Sequence, residues 1–198
     1  NDNHMAVTNF AATDQCTDTP TNNFCTWNAV GTWMKNQTFA EGNTKGTTVV
    51  AGSAPYHQSI HANFFVNTGK WYWECECDSI GSGGGVLIGC HRGISTYDGK
   101  HEYINGHNNG GSTGFAYYTS GGVLFGGQGS EDSGNTTYTS GDIIGVALDC
   151  TNGNIYFSKN GTWQNSGDPT SGGTGTGAMD LNGNYFQWTP FASKDDTN

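Results

Sequence analysis

The sequence has few charged residues, and most of those are acidic. Only 12% of its 198 residues are charged, with 7 Lys and Arg against 17 Asp and Glu, for a formal net charge of −10. This is about half the usual share of charged residues. The acidic excess also opposes the phosphate neutralisation that drives nucleic-acid and anionic-membrane binding. We therefore expect neither nucleic acid nor a membrane as the partner.

Long apolar runs and helical patterns are also lacking. No stretch approaches the roughly 18 consecutive apolar residues of a membrane span, and the chain starts at Asn1 without a charged and apolar leader. Apolar residues do not recur at spacings of three and four over any long window, and the 32 glycines interrupt the chain throughout. We therefore expect an all-β fold that does not insert into a membrane.

The six cysteines are compatible with three disulfides or with reduced thiols. Cys75, Cys77 and Cys150 fall where an alternating strand places apolar residues, and a free thiol behaves as a small hydrophobe. We expect mostly reduced, buried cysteines, with Cys16 and Cys25 as the one pair close enough in sequence to join through a turn. The Cys-X-Cys pair lacks a second ligand pair at zinc spacing, so we expect no metal or other cofactor.

Alternation of apolar and polar residues predicts antiparallel strands. Gly69 to Asp78 alternates Trp and Cys with Tyr, Glu and Asp, whereas Val86 to Cys90 is apolar throughout, as expected for a strand buried on both faces. Asp142 to Cys150 and Ile155 to Phe157 flank an Asn-Gly pair, which predicts a hairpin. Ser166 to Gly177 consists almost wholly of Gly, Ser, Thr, Asp and Pro, which predicts a mobile surface loop.

Weaker patterns predict the remaining strands. A hairpin is expected around Thr119 to Gly122, and Gly126 to Ser140 is expected to be a loop. The further predicted strands are Phe115 to Tyr118, Val123 to Phe125 and Tyr185 to Ala192, with candidate edge strands at Phe24 to Trp33, Thr47 to Ala51 and Gln58 to Phe65.

The order of these motifs resembles the SPRY domain. The resemblance covers about Phe64 to Ala192 and rests on Gly-Lys-Trp-Tyr-Trp-Glu, Val-Leu-Ile-Gly, Gly-Asp-Ile-Ile-Gly-Val-Ala-Leu-Asp and Asn-Gly-Asn-Ile-Tyr-Phe-Ser-Lys-Asn-Gly, in that order. It implies a concanavalin-like jelly-roll sandwich of two antiparallel sheets, used for recognition through loops at one end and not for catalysis. Cys75 and Cys77 stand where the family usually has Val or Ile.

The opening Asp18 to Phe24 resembles the lead-in of SPRY-containing structural proteins of tailed bacteriophages. We predict that residues 1–60 form N-terminal strands and an arm that packs on the sandwich. Residues 61–198 are predicted to form the SPRY-like core, the two parts making one structural domain.

Loop aromatics and amides are the predicted ligand-binding residues, because aromatic faces stack on sugar rings and amides hydrogen-bond hydroxyls. The candidates are Tyr97, His101, Tyr103, Asn105, His107, Asn108 and Trp163. We predict solvated or sugar-contacting histidines, and no metal site. Tyr103 and Trp163 could instead fill small cores beneath the loops.

Glu74, Glu76 and Asp78 are the only pattern that suggests an enzyme. Concanavalin-like glycoside hydrolases carry an acid pair on a strand, and alternate residues of a strand are ~6.6–7 Å apart, near the separation that retaining hydrolysis requires. The third acid of that motif would fall at Ser79, which cannot serve. We therefore expect a solvated strand face and no enzyme.

The sequence predicts a non-catalytic recognition module on the virion surface of a tailed phage, in a fibre, appendage or head-decoration protein. Its expected partners are host-surface glycan or protein, or other virion proteins, and a homo-oligomer is compatible with this role. A purely structural capsid decoration or cement protein is the first alternative. A concanavalin-like polysaccharide hydrolase is the second.

Overall fold

A computed structural model describes residues 24–30, 37–48, 58–81, 85–92, 114–119, 122–126, 130–181 and 187–194. The strands in these ranges are β1 Gln37–Ala40, β2 Lys45–Thr48, β3 Gln58–His61, β4 Lys70–Cys77, β5 Val86–Arg92, β6 Gly114–Tyr118, β7 Val123–Gly126, β8 Ser130–Asp132, β9 Asp142–Asp149, β10 Asn154–Lys159, β11 Thr162–Trp163, β12 Met179–Asp180 and β13 Trp188–Lys194. Two short 3₁₀ turns, Gln164–Ser166 and Gly172–Thr174, follow β11. None of the described segments is a helix long and apolar enough to cross a membrane.

Two main sheets form the sandwich. The five-stranded sheet has the order β11-β10-β9-β4, with β12 also paired to β10, and the six-stranded sheet has the order β3-β13-β5-β6-β7-β8. Neighbouring strands are antiparallel in both sheets and in the separate β1-β2 hairpin. The predicted all-β, two-sheet antiparallel architecture is confirmed.

The β9-β10 hairpin lies at the centre of the five-stranded sheet, as predicted. Gly153 has a φ of 75°, which glycine adopts without strain, and its amide donates to the Asp149 carbonyl at 2.9 Å. The hairpin pairs over six residue positions, and β4 covers the other edge of β9 over eight. β9 is therefore paired with a neighbouring strand on both sides, which fixes the positions of its side chains.

The core fills the space between the inner faces of the two sheets. From β9, Ile144, Val146 and Leu148 are all 1% exposed or less, and burying each such side chain contributes roughly 1.5–3 kcal/mol. They pack in one cluster with Val66, Cys77, Ile88, Cys90, Phe115, Tyr117, Tyr138, Ile155, Phe157, Met179, Leu181 and Trp188. The odd positions of β9 consequently face away from the core.

The cysteines in the described ranges carry free thiols. Cys77 and Cys90 are buried, whereas Cys75 packs partly buried against the core. Burial is the main cause that raises the pKa of the Cys75 thiol to about 12. Cys25 is an exposed free thiol, and its predicted partner Cys16 lies outside the described residues.

The N-terminal strands differ from their predicted positions. Within residues 24–30, Trp27 makes an isolated bridge with Ala62, and a short hairpin of β1 and β2 spans 37–48, so β2 overlaps the strand predicted at 47–51 only at residues 47 and 48. Residues 31–33 and 49–51 of the predicted strands lie outside the described residues. The sequence of β2, Lys-Gly-Thr-Thr, has no alternating apolar residues, so its first two residues were not predicted to be in a strand. β8 likewise lies inside a stretch predicted to be a loop. The two-part division at residue 60 stays a prediction, although β3 crosses it.

The segment 166–177, which was predicted to be a mobile surface loop, has hydrogen bonds among its own polar groups. The Asp168 amide donates to the Thr176 carbonyl at 2.9 Å, and the Asp168 carboxylate accepts from the amide and hydroxyl of Thr170. The Thr176 amide donates to the Ser171 hydroxyl at 3.0 Å. Short polar side chains replace missing strand hydrogen bonds here, which a composition argument does not reveal.

Candidate functional site

An aromatic groove lies on the outer face of the five-stranded sheet. Strand register places Tyr72 of β4 and Tyr156 of β10 directly on either side of Ala147 in β9. Residues directly opposite on neighbouring strands share one face of a sheet. A small residue between two tyrosines leaves a trough along β9.

The next row across the sheet explains the position of the Tyr72 ring. Glu74, Gly145, Ser158 and Trp163 are aligned across β4, β9, β10 and β11. A Cβ atom built on Gly145 would lie 2.8 Å from the Tyr72 hydroxyl and would also strike the Ser158 hydroxyl. Because Gly145 has no side chain, the Tyr72 ring can lie across β9 towards Trp163.

Three of the four aromatic residues that line this groove form a group of contacting rings, the fourth being Trp71. The Tyr72 and Trp163 ring centroids are 6.3 Å apart at 64°, and those of Tyr156 and Trp163 are 6.4 Å apart at 78°. Aromatic pairs prefer such edge-to-face arrangements. Tyr72 is 54% exposed, whereas Tyr156 is buried beneath the 164–178 segment, with its hydroxyl 3.3 Å from that of Ser171. Of these three rings, Tyr72 and Trp163 are therefore the two that a ligand can reach.

A buried carboxylate closes one end of the groove. Asp149 accepts hydrogen bonds from the amides of Thr151 and Asn152 at 3.0 Å and from the Asn152 side chain at 2.7 Å, and Lys70 Nζ lies 3.1 Å away. Burial by itself acts to raise the pKa of Asp149, but these donors and Lys70 bring the pKa below its ordinary value. Asp149 therefore stays ionised and fastens the hairpin turn.

The resulting cavity has a volume of about 250 Å³. We call it the outer-face groove, and its lining residues are Lys70, Trp71, Tyr72, Ala147, Leu148, Asp149, Tyr156, Trp163 and Pro169. It is open, mostly apolar and large enough for one ring or one long side chain. Concave aromatic surfaces with a few polar groups at the rim are suited to ligand binding.

Glu74 and Asp78, two of the three acids whose pattern suggests an enzyme, make local interactions. The Tyr72 hydroxyl donates to Glu74 Oε1 at 2.6 Å, and Asp78 pairs with Lys45. Burial first, and then this bond and the nearby Glu74 charge, raise the pKa of Tyr72 to about 12, so the phenol stays protonated as the donor. Among the described residues, no group of three His, Cys, Asp or Glu side chains could hold a metal ion.

Of the predicted ligand-binding residues, the structure describes Trp163. It lies half-buried on β11 and forms one wall of the outer-face groove. The other candidates, Tyr97, His101, Tyr103, Asn105, His107 and Asn108, lie outside the described residues. Ligand binding by all seven stays a prediction.

Tyr72, Tyr156 and Ala147 were not among the predicted residues. The sequence does contain one signal for Tyr72, since it is a large aromatic residue on the strand face that otherwise carries Lys and Glu. Tyr156 and Ala147 gave none, because only strand register brings them beside Tyr72.

The fold and the groove together define a two-sheet antiparallel β-sandwich with an open aromatic binding surface. The family model for the SPRY domain matches residues 70–172, more than half of the chain. The chain therefore belongs to the SPRY family, whose members are typically non-catalytic interaction modules.

A solved SPRY-domain structure agrees with this fold. The crystal structure of the SPRY domain of human HERC1 is similar, with a TM-score of 0.52 and 18% identity over 72% of this chain and 77% of that chain. A second human SPRY domain structure has a TM-score of 0.47 and 15% identity, over 74% of this chain and 83% of that chain. No curated protein matches the chain.

Proposed function

We propose that this chain is a non-catalytic recognition module that holds its partner in the outer-face groove. The observation that carries the proposal is the pair of accessible rings, Tyr72 and Trp163, beside a cavity of about 250 Å³. Rings held by paired strands keep their positions without a ligand, which reduces the entropy lost on binding.

Membership of a family of interaction modules supports a binding role over hydrolysis. The arrangement around Glu74 favours the same conclusion, because its carboxylate accepts the Tyr72 hydroxyl and thereby supports a groove wall. We propose that the polar segment from Tyr97 to Asn108 adds further contacts from the loops at one end of the sandwich.

The proposed setting is the surface of a tailed-phage virion, in a fibre, appendage or head-decoration protein. Its support is the sequence of Asp18 to Phe24, of which the structure describes Phe24 alone, together with a polar, weakly charged composition. The partner in that setting is a host-surface glycan or a protein, of the host or of the same particle. Immunogold labelling of native particles should place the chain at a tail tip, a fibre or the capsid face, and its absence from purified particles would refute this setting.

The groove is tested by replacing its accessible rings. Tyr72→Ala and Trp163→Ala should each weaken binding of the labelled protein to a panel of bacterial-surface polysaccharides and to purified host envelope proteins. Phe65→Ala is the matched control, because Phe65 is also an exposed aromatic residue, at 41%, but lies outside the groove. Equal binding by all three variants and the parent would refute the groove as the site.

A further inference from the structure

The charged residues on the outer face of the five-stranded sheet are mostly acidic. Strand register assigns five of them to this face: Lys70, Glu74, Glu76, Asp149 and Asp180. The one lysine is paired with Asp149 at 3.1 Å. An anionic ligand would approach against this local field and against the net charge of −10 of the whole chain, whereas a cationic ligand would be attracted by both.

The aromatic walls favour the same sign of charge. The faces of Tyr and Trp rings carry partial negative charge and attract ammonium and guanidinium groups. Tyr72 is 54% exposed, and its hydroxyl donates a hydrogen bond to Glu74. This bond shifts electron density towards the ring. Its ring and the Glu74 carboxylate are thus adjacent and present two cation-attracting groups at one place.

We propose that the outer-face groove receives an arginine side chain from a basic segment of a protein partner, an inference that rests on the recognition function proposed above. A planar guanidinium can stack on the Tyr72 or Trp163 ring while it donates to Glu74. A cavity of about 250 Å³ holds one such side chain. A polypeptide is favoured over a small cation, because several charges on one partner gain from the field of the whole acidic face.

The test uses the full chain and two synthetic probes. One probe is a short blocked Gly-Ser-Arg repeat peptide, and the other carries neutral citrulline in place of each arginine. Binding is measured by NMR from the ring signals of Tyr72 and Trp163. The arginine peptide should shift both sets of signals, bind more weakly as salt is added, and bind more tightly than the citrulline peptide.

Variants locate the interaction. Tyr72→Ala and Glu74→Gln should each lower the affinity for the arginine peptide by about two- to fivefold. Tyr72→Phe, which keeps the ring, should lower this affinity less. Asp132→Asn is the control, since it removes one negative charge from β8 in the other sheet, and it should leave affinity unchanged. Equal loss in Asp132→Asn and Glu74→Gln would overturn the inference, because it would indicate general attraction by net charge.

The outcomes also separate this inference from the groove function. Equal affinity for both peptides, or movement of the Tyr72 and Trp163 signals by neutral polysaccharide alone, would overturn the arginine partner and leave the groove as a binding site. If neither peptide moves those signals and the alanine variants keep all binding, both proposals are refuted.

Discussion

Replacing Asp149 with alanine should destabilise the protein substantially, because this carboxylate holds the central hairpin turn. It accepts three hydrogen bonds from Thr151 and Asn152 and forms an ion pair with Lys70, and its side chain is only 5% exposed. A hydrogen bond to a charged acceptor is worth about 1.5–3 kcal/mol, but the bonds share one acceptor and do not add. Water can also reach the exposed residues of the turn, so we expect a total loss of about 2–4 kcal/mol.

Urea unfolding followed by tryptophan fluorescence measures this loss. A change of about 2–4 kcal/mol should lower the melting temperature by roughly 4–16 °C for a chain of this length. Asp149→Asn should fall between the parent and Asp149→Ala, because the amide oxygen can still accept from the turn. Asp78→Asn is the contrasting control, since Asp78 is 63% exposed in its pair with Lys45, and such exposed pairs add little to stability.

The pH dependence provides a second measurement. The pKa of Asp149 is lower in the folded chain than its ordinary value of 3.8, so its ionised form stabilises the fold fully above that value. This stabilisation is lost as pH falls through the folded pKa. The stability difference between the parent and Asp149→Asn should therefore shrink in acid. A difference below about 0.5 kcal/mol at neutral pH for Asp149→Ala would refute the role assigned to the carboxylate.

Three further predictions concern packing, the phenol and the thiols. Gly89→Ala should lower the free energy of unfolding by about 3 kcal/mol, because its Cβ would strike the Phe115 carbonyl and lie 2.8 Å from Ala116 Cα. Gly173→Ala should leave stability unchanged in the same urea assay, because its Cβ would make only an ordinary contact at 3.6 Å. Glu74→Gln should bring the pKa of Tyr72 part of the way down from about 12, measured by NMR titration of the ring. Cys90 is fully buried with a raised thiol pKa, so iodoacetamide should label it only under unfolding conditions; rapid labelling of the native chain would contradict its burial.

The central strands could be predicted because their local patterns match their environments. β4 alternates, since one face is exposed, and Val86 to Cys90 of β5 is apolar throughout, since both faces of this part of the strand are covered. The Asn152-Gly153 pair fixed the position of the β9-β10 turn. The start of β2 and the whole of β8 were not predicted, because these segments are held by pairing with neighbouring strands and not by an apolar face of their own.

The sequence by itself determined the fold class, the central hairpin and the acidic character of the chain, since each follows from composition or from residues close together along the chain. Tertiary structure decided where a ligand can bind. Tyr72, Ala147 and Tyr156 come from three strands, and Trp163 joins them only through the pairing of β11 with β10. No local pattern encodes which residues of different strands share a row, so the groove emerges only from strand register.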